Sequence, residues 1–211
     1  MADSSFENHY WKVIYGSGLD VDGSFNSKEH AKYLHSLFSL MGITVGRMAD
    51  LGFGKGQLLR SMDHVFRPKE IWALDISRMR VNSLQKSKWF RDRNYVSVEE
   101  GDLVRCPNKA LGKKVYDLVI LNSVLQYLPQ NEIPTVLAWL ASHSRFVYIT
   151  VPTNMDYMAM KKEFDFDDPY ANSYSKESLR AWIGKDFEIV SFNLLQSKKF
   201  DPVFREELFR V

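Results

Sequence analysis

The chain has 211 residues, a length that suits one α/β domain. Its 28 basic and 26 acidic residues leave a net charge of +2, too small to indicate a nucleic-acid or membrane-surface protein. A single cysteine excludes intrachain disulfides and a cysteine-based metal cluster, and no metal site is predicted. Because no apolar run approaches the roughly 20 residues of a membrane span and the N-terminus lacks signal-peptide regions, we expect a cytoplasmic protein.

The N-terminal part, residues 1–41, predicts a short aromatic helix, a glycine-rich loop and a second helix over 27–41. The aromatic side chains of the first helix, among them Trp11 and Tyr15, either pack on the domain or form a flap that faces a ligand. In the second helix, Ser27 is a plausible N-cap. His30 is either an ordinary packed histidine or a catalytic base.

A glycine-rich turn follows the first predicted strand, residues 45–51. Glycine is needed where the backbone takes positive φ or where a ligand comes closer than a Cβ allows, and the N-terminus of the next helix offers unpaired N–H groups. The spacing is not the dinucleotide pattern G-x-G-x-x-G, because Gln57 stands at the last position. What remains is D-x-G-x-G-x-G, which predicts a cofactor-binding turn of the Rossmann kind, made by Asp50, Leu51, Gly52, Gly54 and Gly56.

Acidic residues end the next two strands. Asp75, with Ile76 after it, ends the strand 71–76, where a carboxylate can accept both hydroxyls of a ribose. A plain N-cap for a helix over 77–91 is the alternative reading of Asp75. Asp102 and Leu103 follow the strand 95–98. Carboxyl ends of parallel strands share one sheet edge, so these residues should lie close to the glycine turn.

The fourth strand, 115–122, is almost wholly apolar, as a central parallel strand should be. A helix over 132–141 and a fifth strand over 145–152 follow. Residues 153–175 are long for a bare connection, and their acidic and aromatic side chains suit a substrate lid or, alternatively, a solvated loop. Ser175 can cap the next helix, and residues 187–194 and 206–211 predict an antiparallel pair of strands.

In this order, the motifs resemble class I S-adenosylmethionine-dependent methyltransferases. D-x-G-x-G-x-G resembles the family's motif I, and Asn122-Ser123-Val124-Leu125-Gln126-Tyr127 resembles its motif IV, which lines the methyl-transfer site. The resemblance implies a Rossmann-like three-layer sandwich: a seven-stranded, mostly parallel sheet with a C-terminal antiparallel hairpin, a small helical lid and an N-terminal flap. It divides the single domain into a flap and helices (1–41), a cofactor-binding core (42–151), a lid (152–175) and a C-terminal helix with hairpin (176–211).

The resemblance also implies a cofactor, S-adenosyl-L-methionine, with S-adenosyl-L-homocysteine as product. In the family, an acid at the position of Asp102 accepts a hydrogen bond from the adenine amine, and the apolar residue after it lies against the ring. The expected cofactor contacts are Asp50, Leu51, Gly52, Gly54, Gly56, Asp75, Ile76, Asp102, Leu103, Asn122 and Tyr15. The catalytic candidates are Gln126, Tyr127, His30 and Asp156, and the substrate-binding candidates are Trp11, Tyr127, Asp167 and Tyr170.

The acceptor is expected to be a small molecule methylated on oxygen or nitrogen, with secondary metabolism as one setting. The family's Asn/Asp-Pro-Pro-Tyr/Phe motif for nucleic-acid and protein amines is missing after the fourth strand. Together with the near-neutral charge, this favours a small-molecule acceptor. We expect no nucleic-acid or membrane partner, and a monomer or homodimer. Two alternatives stay open: a non-methylating transferase that uses the same cofactor, and a non-catalytic binding protein on the same scaffold.

Overall fold

The computed structural model describes residues 26–105, 114–165 and 168–201. Trp11, Tyr15, Asp167 and the predicted last strand, 206–211, lie outside these ranges. The described helices are α1 (Ser27–Leu40), α2 (Gln57–Phe66), α3 (Arg78–Lys86), α4 (Lys88–Arg91), α5 (Ile133–His143), α6 (Asn154–Phe164) and α7 (Lys176–Asp186). The strands are β1 (Arg47–Leu51), β2 (Glu70–Asp75), β3 (Val96–Glu100), β4 (Tyr116–Asn122), β5 (Ser144–Thr150), β6 (Phe187–Ser191) and β7 (Leu194–Ser197).

The seven described strands form one sheet in the order β3-β2-β1-β4-β5-β7-β6. Strands β1 to β5 pair in parallel, and β7 runs antiparallel to both β5 and β6. The order reverses between β1 and β4, which is where a doubly wound sheet opens a crevice at its carboxyl edge. The predicted fold class, a mostly parallel sheet with a C-terminal antiparallel hairpin, is confirmed.

Each face of the sheet carries its own apolar core, which makes the three layers. In β4, Val119 and Leu121 pack against α5 and α7, whereas Leu118 and Ile120 face α1, α2 and α3. Alternation between two covered faces explains why this strand reads as continuously apolar. Within the described ranges, no helix is long and apolar enough to cross a membrane.

Helix α1 runs along β5 with its N-terminus toward the carboxyl edge of the sheet. His30, in its first turns, contacts Tyr148 late in β5, and Phe38 contacts Phe146 earlier in the strand. Ser27 is not the N-cap: it is the first helical residue, it is buried, and Asn26 precedes it without a side-chain cap bond. The prediction of Ser27 as N-cap was wrong because this hydroxyl packs against α2, where it accepts a hydrogen bond from Ser61 Oγ.

The helix predicted over 77–91 is broken at Ser87. This residue is extended, with φ −68° and ψ 149°, and it ends α3 and begins α4. Its hydroxyl donates to the carbonyl of Leu84 and accepts from the N–H of Phe90, so one side chain satisfies groups at both helix ends. The prediction extended the helix through Ser87 because apolar spacing does not reveal such a side-chain hydrogen bond.

A buried carboxylate joins α2 to α4 and β3 on the α1 side of the sheet. Asp63 is 3% exposed and accepts hydrogen bonds from Trp89 Nε1 at 2.9 Å, Arg93 Nε at 2.7 Å and Tyr95 Oη at 2.9 Å. Three donors, one of them charged, offset the cost of burying this carboxylate. The basic residue Arg93 therefore has a structural role.

The C-terminal hairpin forms, but from other residues than predicted. The single strand predicted over 187–194 turns back at Phe192-Asn193, and Leu194–Ser197 pairs with its first half as the second strand of the hairpin. Asn193 has φ +56°, a left-handed conformation that asparagine tolerates better than most residues. Because apolar residues continue through this turn, the hydrophobic pattern did not reveal it.

Candidate cofactor and methyl-transfer site

The glycine turn between β1 and α2 takes the backbone conformations that its sequence demands. Gly52, Gly54 and Gly56 have φ values of +82°, +56° and +68°. A Cβ on Gly52 would lie 2.5 Å from Cγ2 of Val124, so the turn also packs closely against the segment after β4. The absence of side chains thus brings two strand ends together around a crevice.

A cavity of about 470 Å³ opens at the carboxyl ends of β1, β2, β3 and β4. This volume is in the range of cofactor and ligand pockets, roughly 300–1,000 Å³. The predicted site residues that line it are Asp50, Gly52, Gly54, Asp75, Ile76, Asp102, Leu103, Asn122, Tyr127 and Tyr170. Residues from the whole stretch between the first strand and the lid therefore meet in one cavity.

The carboxyl group of Asp50 lines the cavity and has few interactions that would offset the cost of its burial. The residue is 2% exposed, and its Oδ1 is buried without a hydrogen-bond partner in the part of the chain that the structure describes. Burial, and secondarily the nearby Asp75 carboxylate, raise the pKa of Asp50 to about 8. A ligand that brings positive charge to this point would favour ionisation of Asp50.

Asp75 has a second function besides facing the cavity. Its Oδ2 accepts from the N–H of Gly54 at 2.8 Å, and its Oδ1 accepts from the N–H of Ser77 at 2.9 Å. The cap of α3 is Ser77, whose Oγ accepts from Arg80 N at 3.4 Å, so the N-cap reading of Asp75 was wrong. Since a carboxylate oxygen has two acceptor positions, Asp75 can hold the glycine turn and still accept ligand hydroxyls.

Asp102 lies just past β3 and is held by its own loop. Its Oδ1 accepts from the N–H of Val104 at 2.9 Å, and its Oδ2 lies 3.4 Å from Nε of Arg105. Leu103, next to it, is 8% exposed and also lines the cavity. This pairing of an acceptor with an apolar wall suits a flat heterocycle that carries an amine.

The segment after β4 forms the opposite wall. Asn122 Oδ1 accepts from Thr150 Oγ1 at 2.7 Å, which fixes the amide at the end of the strand. Ser123 follows with φ +56°, and Leu125–Tyr127 forms one 3₁₀ turn. Tyr127 lines the cavity, whereas the side chain of Gln126 is 3% exposed and does not.

Residues 168–174 of the predicted lid are bound to this turn by side-chain and backbone hydrogen bonds. Asp168 is buried; its Oδ2 accepts from Tyr127 Oη at 2.8 Å and its Oδ1 from the N–H of Tyr170 at 3.0 Å. The N–H of Asn172 donates to the carbonyl of Gln126 at 2.7 Å. Asp168, one of the acidic residues of this segment, does not line the cavity; it is buried and orients the Tyr127 hydroxyl.

Two predicted catalytic residues lie away from the cavity. His30 Nδ1 is hydrogen-bonded to Tyr148 Oη on the α1 side of the sheet. Asp156 is exposed and forms a capping box with Thr153 at the N-terminus of α6, where its Oδ2 accepts from the N–H of Thr153 at 2.8 Å. Neither residue lines the cavity.

Leu51 and Gly56, predicted as cofactor contacts, also do not line the cavity. Leu51 is fully buried in the apolar core, and Gly56 is the N-cap of α2, behind the turn. The cavity includes residues that the sequence did not single out, namely Phe53, Gln57, Leu58, Leu74, Ser77, Gly101, Val104, Arg105, Ser123, Val124, Leu128, Pro129 and Glu132. Most of these residues are close in sequence to a predicted site residue, and that proximity is the signal that could have identified them.

Comparison with known families agrees with this geometry. The sequence profile of a family described as "Methyltransferase domain" matches residues 24–191, more than half of the chain. The chain belongs to this family. No curated protein sequence matches it significantly. It is a class I S-adenosylmethionine-dependent methyltransferase, and the predicted cofactor is confirmed at the level of the family.

Solved structures similar to this methyltransferase show the same fold at low identity. An S-adenosylmethionine-dependent methyltransferase from Clostridium acetobutylicum ATCC 824 has a TM-score of 0.64 at 13% identity, over 92% of this chain and 98% of that one. The magnesium protoporphyrin IX methyltransferase of Synechocystis PCC 6803, with bound S-adenosylhomocysteine, has a TM-score of 0.61 at 19% identity, over 92% and 99%. The plantazolicin methyltransferase BpumL, solved with a monoazolic desmethylPZN analog and S-adenosylhomocysteine, has a TM-score of 0.66 at 15% identity, over 84% and 72%.

Proposed function

We propose that this enzyme methylates an oxygen or nitrogen atom of a small molecule, in a cavity that holds cofactor and acceptor together. The observation that carries the proposal is the cavity itself, which is lined by acidic residues at β1 to β3 and by the aromatic residues Tyr127 and Tyr170. The Synechocystis relative, which is named for a porphyrin substrate, supports a small acceptor by analogy. The division of the domain into flap, core, lid and hairpin is part of this proposal.

The residues present fit S-adenosylmethionine. Asp50 offers a buried oxygen without a partner among the described residues, and it would ionise against the cofactor's positive charge. Asp75 would accept the ribose hydroxyls, and Asp102 with Leu103 would bind the adenine. Gly52 and Gly54 line the cavity and would present only backbone to the ligand. When bound, the cofactor supplies an electrophilic methyl group on its sulfonium sulfur.

At the acceptor end, Tyr127 is the residue that we assign to the methyl-transfer site. Its hydroxyl donates to the buried Asp168, so its oxygen keeps a fixed direction and can accept a hydrogen bond from an acceptor O–H or N–H. Tyr170, held by the same carboxylate, and Glu132 complete this wall. Orientation of the acceptor would supply much of the rate, since a neutral amine needs only the later loss of a proton.

Three predicted contacts remain proposals for residues outside the described ranges. Trp11 and Tyr15 would close over the ligands as a flap, and Asp167 would contact the acceptor. Gln126 is retained only as a positioning residue, because its backbone carbonyl accepts from the N–H of Asn172 while its side chain is buried.

Calorimetry with S-adenosylmethionine and S-adenosylhomocysteine tests the cofactor residues. We expect micromolar binding to the wild type, and Asp75→Ala should weaken it by at least about 1 kcal/mol, the scale of a charge-assisted hydrogen bond. Asp92→Ala is the matched control, because Asp92 is exposed at the end of α4. No binding of either ligand by the folded wild type would overturn the proposed site.

The acceptor is tested separately, by release of S-adenosylhomocysteine in a screen of small hydroxyl and amine compounds. Turnover that Tyr127→Phe slows while cofactor affinity is unchanged would support the assignment of Tyr127. Methylation of protein or RNA, with none of the small molecules accepted, would refute the small-molecule part and leave the cofactor site intact.

A further inference from the structure

A second cavity lies beside the glycine turn, between α2 and α3. Its volume is about 230 Å³, and Gly54 lines both this cavity and the larger one. Among the residues that the structure describes, the two differ in charge: four carboxylates and one arginine line the larger, whereas three cationic side chains and no carboxylate line the smaller. The smaller is lined by Gly54, Lys55, Arg60, Arg80, Ser83, Leu84 and Ser87.

Arg60 on α2 brings a partly buried positive charge to this cavity. Its guanidinium is partly buried and donates to the carbonyl of Lys55 at 3.0 Å. Burial lowers the pKa of Arg60, and no carboxylate in the described ranges lies within ion-pair distance of it. A partly buried cation with so little compensation costs stability unless an anion comes to it.

Arg80 supplies the second cation from the facing helix, α3. Its side chain is partly buried, and its Nε lies out of contact with solvent. Lys55 approaches from the turn, and the hydroxyl of Ser83 adds a neutral donor. Among the basic residues of α3, Arg80 thus lies in a concave site.

We propose that this cavity binds a phosphate group, either as the free ion or as the phosphoryl group of a phosphate monoester. Arginine is suited to oxyanions because its planar donors can make paired hydrogen bonds to two oxygens. Three cations from three elements surround one small cavity, which matches a compact dianion better than a singly charged carboxylate. The site is separate from the methyl-transfer reaction and does not depend on the identity of the acceptor.

The test is binding of inorganic phosphate to the whole protein, measured by melting temperature and calorimetry against chloride at equal ionic strength. Parallel series with and without saturating S-adenosylhomocysteine separate this cavity from the larger one. We expect stabilisation that grows with phosphate concentration in both series. The double variant Arg60→Gln, Arg80→Gln should weaken phosphate binding at least tenfold, and unchanged S-adenosylhomocysteine affinity would show that it folds.

The matched control is Lys86→Gln with Lys88→Gln, which removes the same charge from exposed positions at the end of α3 and start of α4. It should change phosphate affinity less than twofold. Absence of phosphate binding, equal binding by the double variant, or equal weakening by the control would each overturn the proposal. A phosphate monoester, a nucleoside 5′-monophosphate, serves as a further arm: tighter binding than phosphate assigns the site to a phosphoryl group, and weaker binding assigns it to the free ion.

Discussion

Replacing Asp50 by Asn should stabilise the ligand-free enzyme while weakening its hold on S-adenosylmethionine. In the folded protein the pKa of Asp50 is raised to about 8 by burial and by Asp75, whereas an unfolded aspartate titrates near about 3.9. The folded state therefore binds this proton more tightly than the unfolded state. Stability that is present below the unfolded pKa is lost as the pH rises toward the folded pKa.

The size of the effect follows from the shift. Each pKa unit is worth about 1.4 kcal/mol, so the stability gap between Asp50→Asn and wild type should open from near zero at about pH 4 and level off above about pH 8. The upper limit is about 6 kcal/mol, and we expect less because the cavity lets water approach the group. From pH 5 to pH 7 the gap should widen by up to about 3 kcal/mol, or about 6–12 °C in melting temperature for a chain of this size.

Urea and thermal unfolding of both proteins between pH 4 and 9, without ligand, measure this gap. Asp92→Asn, which removes a carboxylate at an exposed position, is the matched control. Calorimetry should show weaker binding of S-adenosylmethionine to Asp50→Asn, together with proton release in the wild type near pH 7. A gap that does not change with pH, or a variant less stable than wild type at pH 8, would mean that Asp50 is already ionised in the free enzyme and would refute the reasoning.

Gly52→Ala should destabilise the protein by at least about 1 kcal/mol and weaken cofactor binding, because φ is +82° and the new Cβ would lie 2.5 Å from Val124. In Gly184→Ala in α7, the new Cβ would meet nothing within 4 Å, so this substitution should stabilise the protein by up to about 1 kcal/mol. Equal melting temperatures for Gly52→Ala and Gly184→Ala would contradict both expectations. Asp63→Ala should cost about 3 kcal/mol in urea unfolding, because three partly buried donors lose their buried acceptor, and a loss below about 1 kcal/mol would argue against it. Asp168→Ala should lower the free energy of unfolding by about 1–2 kcal/mol and speed tryptic cleavage within α6; an unchanged cleavage rate would show that this carboxylate does not hold the lid.

Local pattern was sufficient where the determinants of structure lie within a few residues. The glycine turn needs positive φ at alternate positions, the strand ends place acids at one edge, and Ser175 caps α7 as its position indicates. The same short range explains the failures at Ser87 and at Phe192-Asn193, where one polar side chain or one left-handed residue interrupts an apolar pattern. The capping box of Thr153 and Asp156 was present in the sequence, and it could have removed Asp156 from the catalytic candidates.

The sequence by itself determined the family, the order of the elements and the carboxylates that the cofactor should meet. Only the tertiary structure decided the state of those carboxylates, because burial and hydrogen-bond partners come from distant segments. Asp50 and Asp168 are both acidic residues near the site. The packing of β1 leaves one with a buried oxygen and a raised pKa, whereas Tyr127, 41 residues away, gives the other a donor. Desolvation and pairing depend on the fold around each group, and no spacing in the chain encodes them.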